Sequence, residues 1–179
     1  SDYVRQDNPA NRIFVLHRLD RDTSGLMMFA KSQGIQEKMQ RSWNDMVLDR
    51  RYVAVVEGEP EPSKGEVASY LKENTAFHVY STDDKENGQY ALTRYEVLAT
   101  NGNYSLVELQ LETGRKNQIR VHMQDIGHSI AGDRKYGAHS NPLGRLALHA
   151  SRLRFVHPIT RRDMLFETPI PAGFQRIVR

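Results

Sequence analysis

The sequence predicts an α+β fold in which a largely antiparallel sheet carries two or three helices. Three observations lead to it. Residues 91–98 and 104–111 are strand-like runs joined by Asn101-Gly102-Asn103, a strong hairpin signal. From Arg51 the chain alternates Tyr52, Ala54 and Val56 on one side with Val53 and Val55 on the other, as in a strand covered on both faces. Ile35, Met39, Trp43, Met46 and Val47, by contrast, recur at helical spacing behind Ser32, a suitable N-cap.

In chain order, residues 1–12 are polar, and Asn8-Pro9 opposes regular structure, so they read as a loop or frayed end. Ile13 to Leu19 is apolar and partly β-branched, a strand leading into a turn at Asp20. Gly25 permits the chain to reverse, and Leu26 to Ala30 reads as a buried strand. The helix behind Ser32 follows, and its apolar stripe is core packing. After the strand that includes Tyr52, two prolines and several acids make residues 57–65 a loop, and the charged stretch 81–88 makes another. Beyond the hairpin, Gln118 to Ile126 reads as a helix ended by Gly127, with Ile119, Met123 and Ile126 inward and Arg120 on the polar side. Residues 146–148 and 153–156 alternate again, turn at His157-Pro158 and return through 164–166. Repeats and low-complexity tracts are absent, which suits a single domain.

Apolar residues form 39% of the 179-residue chain and charged residues 26%, as in a soluble globular protein. No apolar run reaches membrane-spanning length, and no signal-peptide pattern is visible. With no cysteine, disulfides and thiolate chemistry are excluded, and a cytoplasmic location is expected. The net charge is only +3, yet residues 113–162 hold ten Lys or Arg against two Asp. A face of that composition would attract a polyanion such as RNA, with counterion release supplying affinity. Scattered solvated arginines would give the same sum.

Two dense segments bear on chemistry. The first is His17-Arg18-Leu19-Asp20-Arg21-Asp22-Thr23-Ser24-Gly25, where a turn can hold one acid rigidly at a cleft mouth. Asp20 is therefore a candidate nucleophile, although a turn cap or a pair with Arg18 would explain an arbitrary aspartate there. The second is Thr113-Gly114-Arg115-Lys116-Asn117-Gln118-Ile119-Arg120-Val121-His122, in which Arg115 and Lys116 read as phosphate contacts. Seven histidines invite a metal hypothesis, but none forms a His-x-x-x-His pair. His17, His122, His128, His149 and His157 are read as packing or hydrogen-bonding residues, and no metal site is assigned.

Together these segments resemble the RluA-type pseudouridine synthases, whose His-Arg-Leu-Asp-x-x-Thr-Ser-Gly pattern carries the catalytic aspartate. Arg51-Tyr52-Val53-Ala54 through Gly58, Gly127-His128 through Gly132-Asp133 and Tyr136-Gly137, and Leu148-His149-Ala150 with His157-Pro158 continue the resemblance in order. Two departures stand out. Asn117 occupies a position where these enzymes usually carry His, and an upstream Lys-Pro-x-Gly motif is missing, so the chain is expected to be a catalytic domain, residues 1–179, without its N-terminal segment.

The resemblance implies a mixed, bent sheet with a cleft and helices packed outside, acting as a monomer on ribosomal or transfer RNA without metal or organic cofactor. DNA and membranes are not expected partners. It implies that Asp20 is catalytic, that Arg120 pairs with it, that the Tyr52 ring packs on the uracil, and that Arg18 enters the RNA where the target base was. The chemistry is consistent with those roles. The base must leave its stack to meet a protein carboxylate, and closure over that carboxylate disfavours its charge unless a cation stands beside it. Two other readings remain: an RNA-binding module that is inactive as this fragment, and, more remotely, a metal-dependent nuclease or phosphoesterase. The former would bind RNA without releasing tritium from C5-labelled uridine, and the latter would be silenced by chelators.

Overall fold

A computed structural model describes residues 2–179; Ser1, the first residue of the expected N-terminal loop, lies outside the described residues. The rest of that segment is not loop throughout. A short helix, α1 (Asp2–Arg5), forms because Val4 finds a buried seat. The strands expected over 13–19 and 26–30 each shrink to two residues, β1 (Phe14–Val15) and an antiparallel partner at Phe29–Ala30. Between them lies β2 (Ser24–Gly25), and Phe29–Ala30 becomes β3. Val15 is 49% exposed and Phe29 41%, so extending this pair would bury little apolar surface.

The predicted helix exists but is broken. Helix α2 (Gln33–Arg41) starts at Ser32, whose Oγ accepts the Ile35 N–H at 3.4 Å, and ends at Ser42, where ψ of 29° leaves helical geometry. Helix α3 (Trp43–Met46) follows, and Val47 already belongs to β4 (Val47–Glu57). The apolar stripe still serves packing: Met39 and Met46 are buried with Leu16, Leu153 and Phe155 in a small second core.

Strands β5 (Lys64–Glu73) and β6 (Val79–Thr82) escaped sequence reading, and their ends overlap both expected loops. Their composition explains this, since β5 is mostly Lys, Glu, Gly and Ser and its strand character comes from pairing with a neighbour. That neighbour, β7 (Gln89–Thr100), forms with β8 (Tyr104–Leu111) the predicted hairpin. Helix α4 (Gln118–Asp125) also falls where expected and is followed by Gly127 at a φ of 81°. A 3₁₀ turn at Arg134–Tyr136 leads to β9 (Leu148–Val156), one continuous strand in place of two runs, then β10 (Asp163–Glu167) and an unforeseen α5 (Ala172–Ile177) that seats the buried Phe174.

The main sheet runs β10-β9-β4-β8-β7-β5-β6 with antiparallel neighbours, and β2 adds to β9 in parallel, which makes it mixed. Val53 to Val56 at its centre are at most 2% exposed. Ile119, Met123, Ile130 and Phe174 share their core cluster. At about 1.5–3 kcal/mol for each large apolar side chain buried, this cluster dominates the fold's stability. An irregularity in the β4–β9 pairing adjoins Tyr52. Arg51 faces Arg152 but Tyr52 faces Ala150, so Ser151 is bulged out, and its Oγ donates to the Arg51 carbonyl at 3.2 Å. Among the described residues no helix is long and apolar enough to cross a membrane.

Candidate active site

Sequence chemistry explains how Asp20 is held. The Thr23 N–H donates to the Asp20 carbonyl at 3.0 Å, closing a turn, and the chain then docks on β9 through Ser24 and Gly25. Gly25 has a φ of 116°, and a Cβ there would stand 2.2 Å from the Ala150 carbonyl oxygen, so only glycine permits this approach. Ser24 Oγ accepts from Arg145 at 2.9 Å and shares a 2.8 Å hydrogen bond with His149 Nδ1, whose other ring nitrogen meets Thr168 at 2.7 Å. On the near side, His17 Nε2 accepts the Met28 N–H at 2.9 Å and its ring leans on Trp43. The acid thus sits on a loop pinned at both ends.

The second segment is built around Gln118. Its Oε1 accepts from the Thr113 hydroxyl and the Arg115 N–H, while its Nε2 donates to the Leu92 carbonyl and to Thr93, all between 2.7 and 3.0 Å. A buried amide satisfied on both sides fixes the loop against β7 and aims α4 at Asp20. Arg120 then donates Nε and Nη2 to Asp133 at 2.6 and 2.8 Å, and Nη1 to Asp20 at 3.3 Å. Asp133 is 1% exposed, Arg120 15% and Asp20 23%, which places the shared guanidinium between a sealed acid and an accessible one. Burial works to lower the Arg120 pKa, but hydrogen bonds and charge from Asp133, then Asp20, outweigh it and raise the pKa, so the cation is permanent.

Asn117, in left-handed conformation at the start of α4, contributes a second support. Its Nδ2 donates to Asp20 Oδ2 at 2.6 Å, and its Oδ1 accepts from the Tyr136 hydroxyl at 3.0 Å. The Arg120 guanidinium lies 4.7 Å over that same tyrosine ring. One carboxylate oxygen of Asp20 therefore receives a charged donor and a neutral one, each braced from behind by Asp133 or Tyr136.

Asp20, Tyr52, Arg120, Arg18 and Arg115 line one pocket of about 380 Å³. That volume suits a small ligand or one nucleotide. Burial pushes the Tyr52 pKa up, Arg50 opposes and Asp20 adds to the rise, so its hydroxyl stays protonated at neutral pH. Arg18 is exposed and makes no ion pair among the described residues. Arg115 is tied through Nε to the Tyr90 carbonyl at 3.0 Å. Lys116 is not part of the pocket wall; it pairs with Glu73 and lies 5.7 Å over the Phe77 ring. The basic stretch is also less uniform than its sum, because Arg152 pairs with Glu167 and Arg154 with Asp163 across β9–β10. Among the described residues, no three His, Asp or Glu side chains could together hold a metal ion.

Several site residues carried no assigned role in the sequence. Asp133 and Tyr136 stood within a recognised Gly-Asp…Tyr-Gly pattern, but nothing local tells that they back Arg120 and Asn117. Arg50 had no motif at all, and alternation with Tyr52 was its one available signal.

A partly accessible carboxylate held by an arginine and an asparagine in a pocket on a mixed sheet is suited to chemistry on a small polar group. The family model for RNA pseudouridylate synthases matches residues 1–125, and the chain belongs to that family. It is 40% identical over 166 residues to the uncharacterized RNA pseudouridine synthase YhcT of Bacillus subtilis (strain 168), covering 92% of this chain and 55% of that protein. It is 35% identical over 174 residues to ribosomal large subunit pseudouridine synthase D of Zymomonas mobilis subsp. mobilis, covering 92% and 55%. Among solved structures it is similar to human RNA Pseudouridylate Synthase Domain Containing 1, with a TM-score of 0.77 and 28% identity over 94% of this chain and 72% of that one. The chain spans about half the length of the curated relatives it matches.

Proposed function

We propose that this chain is the catalytic domain of an RNA pseudouridine synthase that converts uridine of ribosomal or transfer RNA to pseudouridine, in the cytoplasm, as a monomer and without metal or organic cofactor. One observation carries the reading: Asp20, Tyr52 and Arg120, from three segments far apart in sequence, line one pocket, with the carboxylate joined to the guanidinium at 3.3 Å. Family membership supports the reaction, and the relative whose name specifies the ribosomal large subunit supports the class of RNA.

The isomerisation breaks the bond from uracil N1 to ribose C1′ and forms one from C5 to C1′. C5 loses a proton and N1 gains one, so neither oxidant nor water is consumed. Asp20 engages the everted nucleotide, and Arg120 and Asn117 keep its carboxylate in one orientation. Tyr52 packs on the uracil and keeps a protonated hydroxyl near the reacting atoms. Arg18, free at the pocket mouth, stacks where the base was, while Arg115 and Lys116 meet phosphates. Carbodiimide-dependent primer extension on RNA from cells with and without the full-length protein tests this. A stop that disappears in the deleted strain and returns on complementation is expected; identical stops throughout ribosomal and transfer RNA would defeat the reading.

A further inference from the structure

Strand β4 sends alternate side chains to opposite faces, and two consecutive arginines meet opposite fates there. Arg51 is bound on the far face by Asp49 at 3.0 Å and Glu108 at 2.7 Å. Arg50 turns the other way, with Tyr52, into the pocket that holds Asp20. Among the described residues it makes no salt bridge and no side-chain hydrogen bond, and the acid whose charge it feels, Glu112, is itself paired with Arg94. Burial lowers its pKa against the opposing pull of Tyr52 and Glu112, and burial together with Arg50 lowers the pKa of His17.

The surroundings keep this guanidinium in place. A Cβ on Gly114 would stand 2.4 Å from Arg50 Nη1, so the glycine leaves the space that the guanidinium fills. Among the described residues no hydrogen bond or salt bridge joins Arg50 to Asp20, whose Oδ2 receives Asn117 and Arg120 instead. A largely buried cation with its donors unused costs free energy unless an anion arrives. A uridine nucleotide offers one anionic group, its phosphodiester, and a planar fork of donors fits that group well.

We infer that Arg50 is a phosphate-binding residue of the pocket, gripping a phosphodiester that flanks the everted uridine and so setting how deep the nucleotide sits relative to Asp20. The inference rests on the reading of the site as a uridine-isomerising one. It is distinct from the contacts assigned to Arg115 and Lys116: Arg115 is exposed and tied to the Tyr90 carbonyl, and Lys116 is paired with Glu73 outside the pocket, whereas Arg50 is partly buried beside Tyr52.

The test uses the full-length protein and a synthetic stem-loop around the uridine that primer extension identifies, made with ordinary linkages or with one neutral methylphosphonate 5′ or 3′ of that uridine. Wild-type affinity should fall about tenfold for one of the two neutral linkages, as expected for a lost charged hydrogen bond. Arg50→Gln should bind ordinary RNA about tenfold more weakly, lose no more with the neutral linkage, and show a salt slope shallower by about 0.7–0.9, one phosphate's share. Arg50→Lys should recover part of the affinity. Wild-type indifference to both neutral linkages, or independent multiplying losses from the substitution and the linkage, would overturn the inference. If Arg50→Gln fails to fold, Arg50→Lys is measured against the two neutral linkages in its place, and wild-type indifference to both still overturns the inference. Absence of any modified uridine would instead count against the activity itself.

Discussion

Replacing Arg120 by Lys keeps the positive charge and removes the fork, so it asks what the geometry contributes. The native guanidinium spends two nitrogens on Asp133, at 2.6 and 2.8 Å, and a third on Asp20 at 3.3 Å. One ammonium cannot span both acids. If it stays with Asp133, Asp20 loses a charged hydrogen bond; such bonds contribute about 1.5–3 kcal/mol, and the 3.3 Å length places this one at the low end. That is about tenfold or somewhat more in rate. If it swings to Asp20, the 1%-exposed Asp133 is left unpaired, at about 3–5 kcal/mol of stability. Tritium release from C5-labelled uridine RNA, under single-turnover conditions with saturating protein, separates these outcomes when run beside a melting curve. A rate reduced about 10- to 100-fold with a near-native Tm is expected. A rate within twofold of wild type would show that the shared guanidinium is dispensable for chemistry, and a fall in Tm alone would make Arg120 a scaffold residue.

Asn117→Asp places a second carboxylate where a neutral donor now lies 2.6 Å from Asp20. Activity should drop about 100-fold near neutral pH and partly recover in mild acid, where the pair can share a proton, as a pH–rate profile would show; unchanged activity at pH 7 would contradict the contact. Tyr136→Phe removes one hydrogen bond to Asn117, so a loss of about 0.5–1.5 kcal/mol in denaturant stability and a few-fold in kcat are expected, with KM unaffected. His122, bonded to Thr93 and Ser69, has its pKa lowered by burial from 6.5 to about 4. The unfolded chain takes up this proton first, so stability is complete above pH 6.5 and declines as pH falls toward 4, by roughly 3 kcal/mol in all. His122→Gln should flatten stability across that window; an identical slope would place the acid sensitivity elsewhere.

Legibility in the sequence followed the range of the interactions involved. The hairpin around Asn101-Gly102-Asn103 and helix α4 were readable because turn chemistry, capping and apolar spacing are encoded within a dozen residues. Strand β5 was not, because its polar residues become a strand only by pairing with β7. The stripe from Ile35 to Val47 showed which side chains are buried but not that Ser42 interrupts the helix. At the site, local motifs drew attention to Asp20, Tyr52 and Arg120. Their supports were hidden for a plain reason: Asp133, Tyr136 and Asn117 matter through side-chain contacts made after the chain folds back on itself. Summed charge misled in the same way, since it could not see that Glu167 and Asp163 lie across the sheet from Arg152 and Arg154.

The role given to Asp20 is open to one sharp comparison. Asp20→Asn keeps the shape of the side chain and leaves Tyr136, Asn117 and Arg120 in place, so RNA affinity and Tm should stay close to wild type while tritium release falls to the no-enzyme rate. Measurable turnover by the folded Asp20→Asn protein would mean that the isomerisation does not depend on this acid.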